Sequence, residues 1–203
     1  MVGRTQYERL ESRLVCVRLL RVLKKHMKYR ELMRLTDLSP AIMSRYVVGK
    51  IIPHQKRADE LLEMVSRKIR NYIDFEPETN DIDLLSIYAD LAFKELMGLR
   101  VTKVLTSEFD NIPFATLVAE RIARPIVIAS TRMRDMKNIC VVVHHFEPLF
   151  VARSMIKRRD SILIVSNLAH VRDALRRICE KARADITGML WIDKNGIVFK
   201  GEE

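Results

Sequence analysis

Four residues punctuate residues 29–53 so closely that little conformational choice is left: Ser39, Pro40, Gly49 and Pro53. Serine followed by proline starts a helix. The hydroxyl can cap the first turn, and a ring without an N–H loses nothing at the first helical position. Gly49 stands where a helix end needs positive φ, and Pro53 lies just beyond it. The spacing predicts a helix from Pro40 to about Val48, preceded by a short helix from Tyr29 to Thr36 and a turn at Asp37-Leu38. Within the second helix Ile42, Met43, Tyr46 and Val47 are expected to face inward, and Ala41, Ser44 and Arg45 outward. An outward face of small and hydrogen-bonding residues ending in arginine suits a DNA major groove.

Charge supports a polyanion partner for this part of the chain. The 203 residues carry a formal net charge of +10. Residues 1–75 hold 17 Lys+Arg against 8 Asp+Glu, a net of +9, which leaves +1 for residues 76–203. A basic module joined to a nearly neutral one is therefore expected, with nucleic acid as the partner of the first. The hydrophobic fraction of 48% suffices for packed cores. No run of eighteen apolar residues predicts a membrane span, and residues 1–13 lack the apolar segment of a secretory signal. Cys16, Cys140 and Cys179 are odd in number and far apart, which argues for reduced thiols and a cytoplasmic location rather than a disulfide or metal framework.

The remaining pattern divides the chain further. Residues 6–26 place Leu10, Leu14, Val17, Leu20, Val22 and Leu23 at helical spacing, and a helix from Gln55 to about Tyr72 aligns Leu61, Leu62, Val65 and Ile69. Residues 75–83 are acidic, contain proline and are poor in apolar side chains, as a linker would be. An amphipathic helix is expected over 84–99. From Arg100 strands and helices alternate: strands at 101–108, 125–131, 161–165 and 186–192, helices at 112–122 and 171–181, a hairpin-like pair at 138–143 and 149–156, and an edge strand at the end. Such alternation means a mostly parallel sheet covered on both faces. The expected architecture is α plus α/β: helical domain 1–75, linker 76–83, sheet domain 84–203.

Residues 29–53 resemble the helix-turn-helix of the lambda-repressor and Cro-like class, through Leu32, Thr36, Leu38-Ser39, Ser44-Arg45-Tyr46, Gly49-Lys50 and Pro53. The resemblance implies that Ser39, Ala41, Ser44 and Arg45 face the groove and that Lys50, Lys56 and Arg57 hold phosphates. Two positions depart from that class. Asp37 replaces the glycine usual in the turn, and Met33 replaces a small residue between the helices.

The second module, with Ser161 to Leu175 as its motif-like part, resembles a type I phosphoribosyltransferase domain, a Rossmann-like parallel-sheet fold. In that family a strand runs into an acidic pair that holds ribose hydroxyls, then into a Thr- and Gly-rich loop whose amides cradle a 5′-phosphate. Here the pair falls on Ser166 and Asn167, and the loop, 168–174, has neither glycine nor threonine. The pyrophosphate-side loop is Glu108-Phe109-Asp110-Asn111, whose charge would repel the ligand. These departures lead to the expectation of no catalytic residues and no enzyme. An anion, a nucleotide or sugar-phosphate effector, could still meet Ser166, Asn167, His170 and Arg172 at the helix start. His144 and His145, with Glu147, point to opposite faces of a strand and are not expected to share a metal.

Basic helix-turn-helix plus transferase-like domain is similar to the purine-operon repressor plan and to archaeal regulators of related build. That resemblance implies a homodimer held through 84–203, binding double-stranded DNA, with no cofactor and no membrane association. The competing expectations are a nucleobase phosphoribosyltransferase, an RNA-binding regulator and a non-specific DNA-packaging protein.

Overall fold

The computed structural model describes residues 5–69, 79–110, 112–132, 138–141, 148–194 and 196–202. Asn111, part of the expected linker (76–78), and His144, His145 and Glu147 lie outside the described residues. The chain divides into two compact units, Met1–Gly98 with Lys194–Gly196, and Leu99–Asp193 with Ile197–Glu203.

The first unit is helical, with α1 (Gln6–His26), α2 (Tyr29–Thr36), α3 (Pro40–Val48), α4 (Gln55–Lys68) and α5 (Ile82–Leu96). Thr5 and Glu8 form a reciprocal capping box that starts α1. Its buried stripe is Ser12, Val15, Cys16, Leu19, Leu20 and Leu23, because α2, α3, α4 and α5 all pack on that side. Leu10 and Leu14, expected in the core, are instead 49% and 38% exposed. They lie on the flank of α1 away from this stripe.

The domain boundary also moves. α5, expected to open the second domain, packs on α1 and α4 within the first unit. Lys25 pairs with Asp83 at 2.7 Å, and Lys94 pairs with Glu63. Asp81, expected in a linker, caps α5 by accepting the amides of Asp83 and Leu84. The acids of this segment redistribute the charge. The first unit carries 19 Lys+Arg against 14 Asp+Glu, and the second 17 against 12, a net of +5 each. The expected contrast between a basic and a neutral module is therefore lost at the level of units. It survives locally: residues 28–57 hold seven Lys+Arg against two Asp+Glu, the whole net charge of their unit.

The second unit is mixed α/β. A five-stranded sheet has the order β2 (Ile126–Ala129), β1 (Lys103–Ser107), β5 (Ser161–Val165), β6 (Asp185–Asp193), β7 (Gly196–Gly201). The β1–β2, β1–β5 and β5–β6 pairings are all parallel. One side of the sheet packs Leu105, Val127, Ala129, Ile162 and Ile164 against Val171, Leu175 and Ile178 of α7 (Ala169–Ala182) and against the antiparallel pair β3 (Asn138–Val141) and β4 (Leu149–Ala152). α6 (Ile112–Arg121) packs on β1 and β2, and the alternate residues Val104 and Leu163 are fully buried as well. At Gly188 a β-carbon would come within 2.6 Å of the Phe199 ring, so only glycine fits under that side chain. The thiols of Cys16 and Cys179 are pushed up to about 12, chiefly by burial, and all three cysteines are free. No helix among the described residues is long and apolar enough to cross a membrane.

Candidate functional site

In the first unit, the turn between α2 and α3 is built by Asp37, which takes the left-handed conformation (φ 52°, ψ 37°) and donates its N–H to the Met33 carbonyl at 2.8 Å. The geometry usual for glycine is thus kept by aspartate, among the L-residues that tolerate it best. Met33 is half-buried, while Leu32, Leu35 and Thr36 fill the interface. Tyr29 donates its hydroxyl to the Pro40 carbonyl at 3.3 Å, tying α2 to the start of α3.

Ser39 occupies the N-cap position of α3, but its hydroxyl makes no capping hydrogen bond. Pro40, with its preset φ, starts the helix, and the serine side chain stays exposed. Met43 and Tyr46 are the residues of α3 that are buried. Ile42, expected inward, is 40% exposed because it sits at the edge of that narrow buried face. Ala41, Ser44, Arg45 and Val48 are exposed at helical i, i+3, i+4, i+7 spacing. Among the described residues, Ser39, Ser44, Arg45, Lys50 and Lys56 have no side-chain hydrogen bond or ion pair. Arg57 differs: its guanidinium is 3.1 Å from Glu60.

Two arginines that sequence patterning passes over hold this arrangement from behind. Arg21 of α1 donates from Nε to the Val47 carbonyl (2.8 Å) and from its terminal nitrogen to Val48 (3.0 Å). Both carbonyls lie at the C-terminal end of α3, where a cation is favoured. Arg13 donates to the Pro53 carbonyl at 2.7 Å. Their partners lie 26 to 40 residues away, beyond any local pattern.

In the second unit, two of the four residues expected around a vestigial phosphate site, Ser166 and Asn167 at the C-terminal end of β5, meet on a carboxylate of the chain itself. Asp110 accepts the Ser107 hydroxyl (2.7 Å), the Ser166 hydroxyl (3.0 Å) and the Asn167 amide (2.9 Å). Burial pushes its carboxyl above the ordinary value, against these hydrogen bonds. Asn167 accepts the Ile192 amide on its side-chain oxygen at 2.9 Å. Arg172 donates to the Ser166 carbonyl at 2.8 Å and stacks over Trp191, 4.4 Å from the ring centroid. His170 is half-buried at the start of α7. The acidic loop read as repelling a ligand therefore supplies the acceptor that its own sheet edge binds. Glu108 turns to the end of β2, where it accepts the Ser130 hydroxyl (2.7 Å), the Thr131 amide (2.7 Å) and the Thr131 hydroxyl. Hydrogen bonds from Thr131 and then Ser130 hold its carboxyl below the ordinary value. Ser107, Ser130, Thr131 and Trp191 carry no signal in the sequence beyond lying within expected strands.

Among the described residues, one cluster has ligand-type side chains close together: His26, Asp81 and Asp83, with candidate atoms within 4.8 Å of one another. Asp83 is paired with Lys25 and Asp81 caps α5, so both carboxylates already have partners.

No protein-family model matches the chain, and no curated protein matches it. Among solved structures, it is similar to adenine phosphoribosyltransferases. The enzyme from Thermoanaerobacter pseudethanolicus shows 13% identity and a TM-score of 0.48, over 54% of this chain and 67% of that one. The one from Leishmania tarentolae shows 14% and 0.48, over 57% and 58%. The one from Rhodothermus marinus shows 16% and 0.46, over 54% and 66%. The likeness is one of phosphoribosyltransferase fold over about half of this chain, which spans about two thirds or less of those structures. These neighbours are enzymes, and on that finding the expectation that the chain is not an enzyme is withdrawn.

Proposed function

We propose that the chain is a DNA-binding transcription regulator that reads double-stranded DNA through α3 and acts as a homodimer held by its phosphoribosyltransferase-like part. The observation that carries this reading is the face of α3. Ser44 and Arg45 are exposed with no side-chain partner among the described residues, as are Ser39, Lys50 and Lys56, in a stretch that holds the net charge of its unit. Arginine so placed can donate two hydrogen bonds to guanine, and the lysines can meet phosphates. Arg57 joins them only by releasing Glu60. Two copies related by a dyad would read a two-fold site.

The test is Arg45→Ala. Specific binding should weaken by about 1–3 kcal/mol, with preference relaxed at one base position. Unchanged selectivity across a panel of duplexes would remove Arg45 from the reading set. A preference for single-stranded or hairpin RNA would favour the RNA-binding reading. A steep salt dependence without sequence preference would favour packaging.

The second reading is a nucleobase phosphoribosyltransferase, favoured by polar groups gathered at the C-terminal ends of β1, β2 and β5, where open parallel sheets bind ligands. A 5′-phosphate would have to take the Ser166 and Asn167 donors from Asp110. Pyrophosphate release from phosphoribosyl pyrophosphate and a nucleobase is the assay. Binding of a nucleotide or sugar phosphate without turnover would assign the same edge to an effector.

A further inference from the structure

We infer that the exposed apolar side chains of α3, Val48 and Ile42, are thymine readers that contact 5-methyl groups in the major groove on either side of the base met by Arg45. The inference rests on the DNA-binding reading above and names what that face would select.

Val48 is 59% exposed and Ile42 40% exposed, with Ala41 also outward. Of the exposed α3 residues 40, 41, 42, 44, 45 and 48, only Ser44 and Arg45 have hydrogen-bonding side chains. The rest of that face can offer only methyl groups. A lone exposed valine would need no explanation. Here the apolar groups flank an unpaired arginine on one short helix, and the position of Val48 is fixed from behind. Arg21 holds the Val47 and Val48 carbonyls, and Gly49 closes the helix at φ 77°.

Charge decides which occupant fits. Residues 28–57 carry a net +5, so a second copy of this face would be brought against its own like charge. A polyanion is complementary. Within a DNA major groove, the apolar feature that distinguishes one base from another is the thymine 5-methyl group. The face therefore selects a site in which thymines flank a guanine.

Replacing thymine by deoxyuridine removes that methyl group and leaves base pairing intact, so it tests the inference directly. The full-length protein is given a duplex selected from a random pool, and then copies with deoxyuridine at one thymine at a time. Affinity should fall about fourfold at each contacted methyl. In Val48→Ala, the thymine duplex should bind about fourfold more weakly, and one position should lose its sensitivity to deoxyuridine. Ile42→Ala should do the same at a different position. Both residues are exposed, so the variants should unfold as the parent does. Equal binding of thymine and fully deoxyuridine-substituted duplexes would overturn the inference and leave the DNA-binding reading standing. No preference for the selected duplex over a scrambled one would sink that reading and this inference with it. Self-association of the parent chain that Val48→Ala abolishes would assign the face to a second copy instead.

Discussion

The outer face of α3 and the strand ends of the second unit use similar chemistry in opposite ways. Ser44 and Arg45 on α3, Ser39 and Lys50 at its two ends, and Lys56 at the start of α4 are exposed with no side-chain partner among the described residues. At the strand ends, Ser107, Ser130, Thr131 and Ser166 turn inward onto Asp110 and Glu108. A hydroxyl that already donates to a carboxylate must give up that bond before it can hold a ligand, whereas an exposed one exchanges only water. The first region presents side chains that hold only water. The second is organised around itself, so a ligand arriving there competes with Asp110.

The largest effect that would sharpen this contrast comes from removing that competitor. Asp110→Ala leaves the Ser107 hydroxyl and the Asn167 amide without this acceptor and the Ser166 hydroxyl with the Leu168 carbonyl alone, and should destabilise the second unit by about 2 kcal/mol. Denaturant unfolding measures it, and inorganic phosphate or a nucleotide should restore part of the loss if the vacated donors accept an anion. No destabilisation would mean that Asp110 is not an internal ligand of this edge. The two carboxylates should also titrate in opposite senses. Asp110, raised by burial, contributes stability that is present when it is protonated and is lost as pH rises through its folded value. Glu108, lowered by its donors, contributes stability that is present above its ordinary range and is lost as pH falls through its folded value. Carboxyl-carbon shifts followed by NMR should place Asp110 above the ordinary aspartate value and Glu108 below the ordinary glutamate value. A raised Glu108 would contradict its hydrogen bonds, and a lowered Asp110 would mean that its hydrogen bonds outweigh burial.

How much of this was legible in the sequence depends on how far apart the interacting residues lie. Ser39-Pro40 and Gly49 act within their own turn, so α3 was readable to the residue. Apolar β5 is equally plain, because burial on both faces writes a continuous hydrophobic run at 162–165. α5 was seen as a helix but placed in the wrong unit, since an apolar face does not say which core it joins. That choice rests on packing against α1 and α4, joined by the pairs Lys25–Asp83 and Lys94–Glu63, whose members lie dozens of residues apart. The Asp110 cradle was hidden for the same reason: Ser166 lies 56 residues on, and only parallel pairing of β1 with β5 brings the two strand ends together. The inward assignment of Ile42 failed for a different reason, because helical spacing sets a direction but not the width of the neighbour that covers it.

A smaller effect probes how α3 is held. Gly49 has φ 77°, and a β-carbon there would approach the Arg21 guanidinium to 2.3 Å. Gly49→Ala should cost about 1–2 kcal/mol from the left-handed backbone and should displace Arg21 from the Val47 and Val48 carbonyls. Arg21→Ala breaks the same clamp without the backbone strain. The double variant should therefore lose less stability than the two single losses added together. Full additivity in thermal unfolding would show that Arg21 and Gly49 act separately. DNA binding would then be expected to follow Gly49 alone.

The smallest expected change, a gain, lies in the turn ahead of α3. Asp37 holds φ 52° and ψ 37°, a conformation that costs an L-residue about 1–2 kcal/mol and glycine nearly nothing. Its side chain is exposed and forms no ion pair or hydrogen bond among the described residues. Glycine at this position removes the strain but adds freedom to the unfolded chain, which offsets part of the gain. Asp37→Gly should therefore stabilise the first unit by about 0.5–1 kcal/mol. It also removes one of only two acids in residues 28–57 and raises that stretch to a net of +6. Non-specific DNA affinity should rise with it, more at low salt than at high salt, while the preferred sequence stays the same. If stability falls instead, the aspartate makes a local contribution larger than its backbone strain. If affinity stays constant at low salt, the charge around α3 is not what meets the DNA.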